Sequence, residues 1–313
     1  MTLQDRMMLY AVTLGRRRTA KQKFLFAKQL SETLPSLGYP VEVQERRNSF
    51  ERIQNLLAGD VPHADLVFAA PFDTPAHTLI SCPYYPFHPE LTVKCERRAL
   101  LVQRLAAALA LMIAAAAGVI AWQLSGAAAV LIWLMTAAAA VVCAVLFLGW
   151  PNRFNFNRCS ASVAVMTMLA ENCSHQSNLA FAFCDKAVDT YEGYRLLAQK
   201  IDLQQTVVLL DSLAAGERLV IACNSAAAAD ANRLAVLLKE DKPILRCYRD
   251  NEVEHNILSL FPKALCITSG SVESGELIVH GAHTKQDIAL DLERLERVER
   301  ALEVFTVLKS EGT

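Results

Sequence analysis

The sequence predicts an α/β domain of three layers with a mixed, mostly parallel central sheet, interrupted by a two-helix transmembrane hairpin. Two observations support this prediction. Short, nearly continuous apolar runs such as 65–70 and 206–210 alternate with amphipathic segments, as expected of strands that are covered on both faces. Between Arg104 and Arg153 there is no charged residue, which is typical of segments that lie in lipid.

The uncharged stretch divides into two helices. A bilayer's hydrocarbon core requires about 20 apolar residues in a helix, and Leu105–Trp122 and Ala127–Trp150 are each of about that length. Gln123–Gly126 between them has the composition of a turn, and Pro151 ends the second helix. The alternative is a helical hairpin buried in a soluble core, which the lack of any polar face disfavours.

The flanks of the hairpin predict its orientation. The turn carries no charge, whereas both flanks are basic, so the positive-inside bias places both flanks in the cytoplasm. We therefore expect an integral protein of the cytoplasmic membrane, with the lipid bilayer as a partner and the soluble domain in the cytoplasm. The flanking cations are Lys94, Arg97, Arg98, Arg104, Arg153 and Arg158.

The net charge and the cysteine pattern restrict the classes of partner and the compartment that we expect for this protein. The formal net charge of -1 gives no reason to expect a nucleic-acid partner. The nine cysteines are odd in number and form no C-x-x-C pair, which suits reduced cytosolic thiols and not a disulfide framework or a zinc knuckle. No signal peptide is expected. The basic run Arg16–Arg18 predicts a solvated helix start, or alternatively a contact with anionic lipid headgroups.

The region before the hairpin, 1–98, is expected to form the first part of the α/β domain. A buried strand over Asp65–Ala70 opens into the loop Pro71–Pro75, at the edge where ligands bind in open α/β sheets. Residues 76–98 are interpreted as a connecting loop, with Tyr84–Phe87 at the membrane surface. The other elements predicted here are a helix at Thr19–Leu37 and strands at Val41–Gln44 and Ile53–Leu57.

The hairpin is assigned to 99–152, and 153–313 is expected to complete the α/β domain. Strand and helix patterns alternate through this second part. Helices are predicted at 160–172, 191–201, 226–238 and 288–308. Strands are predicted at 178–184, 206–210, 218–223, 244–248 and 264–268, with a loop at 281–284 and turn residues at Gly270, Ser271 and Gly275.

The order of these pieces resembles the di-zinc aminopeptidases, metallopeptidase family twenty-eight, with the hairpin as an insertion. The resemblance rests on fragments in a shared order: LGYPV at 37–41, VFAAPFDTP at 67–75, FAFCDKAV at 181–188, VVLLD at 207–211 and HTKQD at 283–287. It implies a zinc-aminopeptidase-like fold. It also implies a cleft in which two zinc ions share a water that a carboxylate activates.

Position by position, most residues that the resemblance implies for the metal site are replaced. The first histidine falls on Pro71, although the aspartate that orients it is kept as Asp73. The bridging aspartate falls on Arg158, and a shift of one residue offers only Asn157. The general-base and ligand glutamates fall on Ala187 and Val188. Only Asp211 and His283 match ligand positions, and two ligands cannot build a di-zinc centre.

Two hypotheses follow. In the first, the protein is a membrane-anchored, cytosol-facing and catalytically degenerate member of this fold, without a cofactor, that binds a peptide, a protein or a membrane-protein partner. Asp211 and His283 are then a vestigial polar pair. In the second, it is an active membrane-bound zinc metallopeptidase whose site is rebuilt from His77, Glu192, Asp211 and His283, because Glu192 lies one helical turn after Val188.

Overall fold

The computed structural model describes residues 1–47, 52–123, 126–148, 152–188, 190–249, 252 and 256–310. The strands are β1 (Val41–Arg47), β2 (Arg52–Ala58), β3 (Leu66–Pro71), β4 (Leu179–Cys184), β5 (Thr206–Leu210), β6 (Arg218–Asn224), β7 (Ile244–Tyr248), β8 (Ala264–Glu273) and β9 (Glu276–Ile278). The helices are α1 (Leu3–Met7), α2 (Ala20–Thr33), α3 (Pro89–Trp122), α4 (Ala127–Leu148), α5 (Ala161–Asn172), α6 (Glu192–Ala198), α7 (Ala228–Leu237) and α8 (Leu292–Ser310).

The strands form one mixed sheet in the order β1-β2-β4-β3-β5-β8-β6-β7, with β9 paired to β8. Its centre is parallel, from β4 through β3 and β5 to β8. The pairs β1–β2, β2–β4 and β6–β8 are antiparallel. Every residue of β3, β4 and β5 is buried, as their apolar runs predicted. Strands from before and after the hairpin alternate in this sheet, and the predicted fold class is confirmed.

Two apolar cores cover the two faces of the sheet and complete the three layers. One core joins α2, α5, α7 and α8 to the sheet through side chains such as Phe26, Met166 and Phe305. The other core joins α6 and the turn Ile257–Leu260 to the opposite face. Burial of each large apolar side chain stabilises the fold by about 1.5–3 kcal/mol, so both layers are held mainly by hydrophobic contact.

The two apolar helices α3 and α4 pack against each other. The buried positions of α3 include Ala107, Ala114, Gly118 and Ala121, a stripe of small residues that lets the helices approach closely. Only 22% of the apolar part of α3 and 6% of that of α4 is buried. Both helices are long and apolar enough to cross a membrane, and their exposure does not fit the alternative of a hairpin buried in a soluble core.

The segment before the hairpin differs from the prediction. Residues 76–98 are not all loop, because α3 begins at Pro89, which occupies the first helical turn where its missing N–H costs nothing. Tyr84 and Phe87 are buried in the protein and do not face a membrane surface. Tyr84 instead pairs with Val279 in both directions, donating from its N to the Val279 O and accepting from the Val279 N.

Other boundaries also shift. The last helix begins at Leu292 and not at 288. Gly270 and Ser271 lie within β8, and the turn falls at Ser274 and Gly275. The second apolar helix is described to Leu148. The predictions for Trp150, Pro151 and part of the turn 123–126 lie outside the described residues.

The prediction of a solvated Arg16–Arg18 run is wrong at its centre, because Arg17 is 0% exposed. Its guanidinium donates to the backbone carbonyl of Tyr10, at 2.6 Å, and to that of Phe72. It also donates to the side chains of Asn155 and Ser160, each at 3.0 Å. Arg17 therefore ties the N-terminal segment to the start of α5, a role that its position in a basic run does not reveal.

Candidate functional site

The site begins with Arg158, in the π-helical turn Phe156–Ser160 that leads into α5. Arg158 is 1% exposed and its Nη1 donates to a carboxylate oxygen of Asp211. Its Nη2 donates to the Val188 carbonyl at 3.1 Å. Its guanidinium carbon lies 3.7 Å from the centre of the Tyr84 ring, within the range of a desolvated cation–π contact. Arg158 therefore fills the space between the ends of several strands.

Asp211 follows directly after β5, at the carboxyl edge of the parallel strands. Besides Arg158, its carboxylate accepts hydrogen bonds from the Tyr84 hydroxyl and, at 3.0 Å, from the Ser212 hydroxyl. Burial is the largest single influence and opposes the charge on Arg158, but Asp211 together with the nearby Tyr84, Cys159 and Tyr191 outweighs it and holds the pKa of Arg158 well above its ordinary value. Arg158 and Asp211 thus form a buried ion pair in which the carboxylate accepts three hydrogen bonds, whereas the Arg158 Nε has no hydrogen-bond partner among the described residues.

His283 lies in the loop after β9 and is 2% exposed. Its Nε2 is 3.1 Å from an oxygen of Glu96, a residue of α3. Burial, together with the positive charge of Arg158, lowers the pKa of His283 to about 3, so the imidazole is neutral at physiological pH. The helix that continues into the apolar hairpin therefore supplies a carboxylate to this loop.

Asp287 closes the same region from the side of α5. Its carboxylate accepts from the backbone N of Asn157 at 2.9 Å and from that of Arg158 at 3.3 Å. Burial raises the pKa of Asp287 to about 7. The Asn157 side chain in turn accepts from the backbone N of Ala214 and Ala215, so this loop and the turn after β5 hold Arg158 in place.

At the other replaced positions, 71, 187 and 188, the side chains have no atom that could bind a metal ion. Pro71 ends β3, and Ala187 and Val188 follow β4 with buried side chains. Asp73 is kept, but its carboxylate accepts from the backbone N of Ala187 at 3.1 Å and of Val188 at 3.4 Å. The Asp73 carboxylate therefore positions the loop after β4. Position 71 is a proline, so Asp73 has no histidine there to orient.

The four residues of the rebuilt-site hypothesis are not assembled into one cluster. The Glu192 carboxylate pairs with Arg46 of β1 and with Arg195, one turn along α6, at 2.6 Å. His77 is half-buried in the loop after β3. In the part of the chain that the structure describes, no three His, Cys, Asp or Glu side chains are placed to hold a metal ion together.

A di-zinc centre does not fit these residues. Asp211, one of the two matched ligands, already accepts three hydrogen bonds, one of them from a guanidinium. Arg158 has a fixed positive charge and cannot be deprotonated to make room for a metal ion. At about 4 Å and an effective dielectric constant near 20, one guanidinium charge repels each unit of metal charge by about 4 kcal/mol.

An open groove of about 470 Å³ lies beside this filled region. Its walls come from the first turns of α3, from the start of α6 and from the turn around Asn256. Tyr191, which is 8% exposed, lines the groove and donates from its hydroxyl to the Pro86 carbonyl at 3.2 Å. The groove is a space next to the filled cleft that a ligand could still enter.

Sequence reasoning missed Tyr84 and Glu96. For Glu96 a signal existed, because Thr92, Glu96, Ala99 and Gln103 recur at helical spacing, and Thr92, Ala99 and Gln103 are buried. The hairpin prediction started too late to use this pattern. For Tyr84 no signal in the sequence distinguishes it from its neighbour Tyr85, because its role depends on the pairing with Val279.

Comparison with solved structures shows which fold this is. The chain is similar to a glutaminyl cyclase of Porphyromonas gingivalis, with 14% identity, a TM-score of 0.54 and coverage of 99% of this chain and 96% of that one. It is also similar to a zinc aminopeptidase of Bacillus subtilis, with 8% identity, a TM-score of 0.54 and coverage of 97% and 93%.

A third similar structure is a glutaminyl cyclase of an Acidobacteriales bacterium, with 12% identity, a TM-score of 0.53 and coverage of 99% and 93%. No protein-family model and no curated protein sequence matches the chain. At these identities the likeness establishes the fold that zinc aminopeptidases and glutaminyl cyclases share, and not an activity. The likeness to the aminopeptidases was expected from the sequence, whereas the likeness to glutaminyl cyclases was not.

Proposed function

We propose that this protein is a membrane-anchored, catalytically degenerate protein with an aminopeptidase-like fold, which binds a peptide or protein partner instead of hydrolysing a peptide bond. The observation that carries the proposal is the buried Arg158–Asp211 pair. It occupies the edge of the sheet where the resembling family holds its metals. Separating the Arg158 guanidinium from the Asp211 carboxylate would cost several kcal/mol. Zinc could bind Asp211 only at that cost.

The anchoring part of the proposal rests on α3 and α4. Their apolar side chains are mostly exposed, and an exposed apolar surface of this size needs a covering. The bilayer is the covering that the lengths of both helices fit. Arg158 is buried in the domain, so the proposed orientation is supported by the other flanking cations, which favour the cytoplasmic side under the positive-inside bias.

The partner-binding part of the proposal rests on the groove beside Tyr191. Two cations, Arg97 of α3 and Arg195 of α6, and one acid, Glu90 of α3, line it together with Val93 and Leu260. Basic and apolar side chains in one groove suit a peptide that carries both acidic and apolar residues. Because α3 forms one wall, a bound partner would lie close to the membrane-facing end of the domain.

The second candidate is an active membrane-bound zinc metallopeptidase with a rebuilt site. The observation in its favour is the approach of Glu96 to His283, which brings a carboxylate and an imidazole together at the old cleft. Under this candidate, zinc would displace the Arg158 guanidinium from Asp211 when it binds.

Activity measurements separate the two candidates. Full-length protein in detergent, supplied with zinc, should show no chelator-sensitive release of N-terminal residues from fluorogenic peptides and no cyclisation of N-terminal glutamine. A matched sample of His283→Ala protein controls for contaminating enzymes. Chelator-sensitive activity that is present in the wild-type protein and lost in His283→Ala would contradict the proposal and support the rebuilt zinc site.

A further inference from the structure

Two cysteines lie side by side on the last two strands of the sheet's path, β6 and β7. Cys223 of β6 and Cys247 of β7 are register partners in a parallel pair. Their sulfur atoms are 2.9 Å apart, although 24 positions separate them in sequence. Both are free thiols. A disulfide bond requires an S–S distance of about 2.05 Å, so only a small side-chain movement separates this pair from a bond.

The spacing of paired strands is compatible with a disulfide. Neighbouring strands lie about 4.8 Å apart, which is inside the range of Cα–Cα distances, about 4.4–6.8 Å, that disulfides span. Register partners on adjacent strands also project to the same face of a sheet. No strand would need to move for the two sulfur atoms to bond.

The two thiols differ in a way that assigns each one a role. Cys247 is exposed, and β7 is the last strand of the sheet's path, so a small disulfide in solution can reach this sulfur. Cys223 is 0% exposed, and burial raises its pKa to about 12. An accessible thiol reacts first and a buried neighbour completes the reaction, as in other thiol pairs that respond to oxidants.

We propose that Cys223 and Cys247 form a reversible disulfide, a thiol-oxidation site whose oxidant is a small-molecule disulfide of the glutathione class. The Cys247 thiolate attacks one sulfur of glutathione disulfide, forms a mixed disulfide and releases one glutathione thiolate. Cys223 then attacks the Cys247 sulfur and expels the second glutathione as its thiolate, which takes up the Cys223 proton. Two protein thiols are oxidised by two electrons, and glutathione disulfide is reduced to two glutathione molecules.

The bond would fasten β7 to the sheet. β7 is an edge strand among the described residues. Besides packing against α7 and the two cores, it is held by a hydrogen bond from Arg246 to the Gly275 carbonyl at 2.5 Å and by a contact of Tyr248 with Phe87, whose ring centres lie 5.7 Å apart. A covalent link to β6 therefore restricts the local opening of β7, which is the usual low-energy motion of an edge strand.

The experiment uses reduced full-length protein in detergent, equilibrated without air in glutathione buffers that range from fully reduced to fully oxidised. Remaining thiols are then alkylated and the peptides are identified by mass. We expect one intramolecular disulfide, seen as a loss of about 2 Da, that joins Cys223 to Cys247 and disappears again in reduced glutathione. Hydrogen exchange of the β7 amides should be slower in the oxidised form.

Three variants sharpen the result. Cys247→Ser should abolish the disulfide, whereas Cys223→Ala should leave Cys247 trapped as a glutathione adduct. Cys95→Ser, at a half-buried cysteine of α3, is the matched control and should leave the Cys223–Cys247 bond unchanged. The proposal is overturned if wild-type Cys247 stops at the glutathione adduct, if it pairs with a different cysteine, or if both thiols stay reduced in the fully oxidised buffer.

Discussion

The pair of Arg158 and Asp211 permits a quantitative prediction. At about 3 Å and an effective dielectric constant near 20, their attraction is about 5–6 kcal/mol. The contact of Arg158 with Tyr84 adds about 2 kcal/mol, and its hydrogen bond to the Val188 carbonyl adds about 1.5–3 kcal/mol. Dehydration of the guanidinium cancels several kcal/mol of this sum. We expect Arg158→Met to lower the free energy of unfolding by about 3–5 kcal/mol, because it leaves the Asp211 carboxylate buried without a cation.

The effects of replacing Arg158 and Asp211 on the free energy of unfolding should be strongly non-additive. Asp211→Leu alone should cost a similar amount, because it leaves the Arg158 guanidinium uncompensated. The double variant Arg158→Met with Asp211→Leu should cost much less than the sum of the two, because no buried charge remains. Arg300→Met is the matched control: Arg300 is exposed on α8 and bonds only to the Glu296 carbonyl among its described contacts, so its cost should stay within about 0.5 kcal/mol.

Chemical denaturation of full-length protein in mild detergent measures these values. Far-UV circular dichroism is the appropriate signal, because all three tryptophans lie in or next to the hairpin at positions 122, 133 and 150 and would not report on the α/β domain. A loss below about 1 kcal/mol in Arg158→Met, or full additivity in the double variant, would refute the interpretation that a strongly coupled ion pair fills the cleft.

Three further predictions concern other parts of the chain. Burial raises the pKa of Asp287 to about 7 from 3.8, so the protonated side chain stabilises the fold fully below about pH 4, and this contribution is lost as the pH rises through 7. The difference in unfolding free energy between wild type and Asp287→Asn should therefore shrink by up to about 4 kcal/mol from acid to alkaline pH. A difference that does not change with pH would contradict the raised pKa of Asp287. Gly193→Ala should destabilise the domain by about 2 kcal/mol or more in a thermal melt, because the added Cβ would meet the Asp185 carbonyl oxygen at 2.1 Å; an unchanged melt would show that α6 can shift freely. In intact cells, a membrane-impermeant thiol reagent should label Gln123→Cys from outside but not the exposed native Cys247, and the reverse pattern would overturn the cytoplasmic orientation.

The central strands and the hairpin were predictable because their signals are local. β3, β4 and β5 are nearly continuous apolar runs, and a strand covered on both faces needs no more than that. The absence of charge between Arg104 and Arg153 likewise locates the apolar helices. The part of α3 that precedes the uncharged stretch, from Pro89 onward, was missed because prolines and aromatic residues lie just before it and charges lie within it, which together give the composition of a loop.

The site was predictable only in part. The sequence shows that residues with no metal-binding side chain, among them Arg158, stand at most positions that the resemblance implies as ligands. The ion pair of Arg158 with Asp211 was not predicted, because nothing local links residues that lie 53 positions apart. The same limit applies to Arg17, which was expected to be solvated because Arg16 and Arg18 flank it, although its guanidinium is buried among backbone carbonyls. Long-range polar contacts of this kind depend on the assembled fold and not on periodicity.

The zinc content of the purified protein tests the central conclusion most directly. Full-length protein is dialysed against excess zinc and then against zinc-free buffer, and bound metal is counted by mass spectrometry. Arg158→Asp, which restores a carboxylate at the position of the bridging ligand, is measured beside it, together with His283→Ala. We predict zinc far below one ion per chain in the wild-type protein, unchanged in His283→Ala. Stoichiometric zinc in the wild-type protein that is lost in His283→Ala would show that a metal site had been rebuilt around Arg158, and would contradict the degenerate function proposed here.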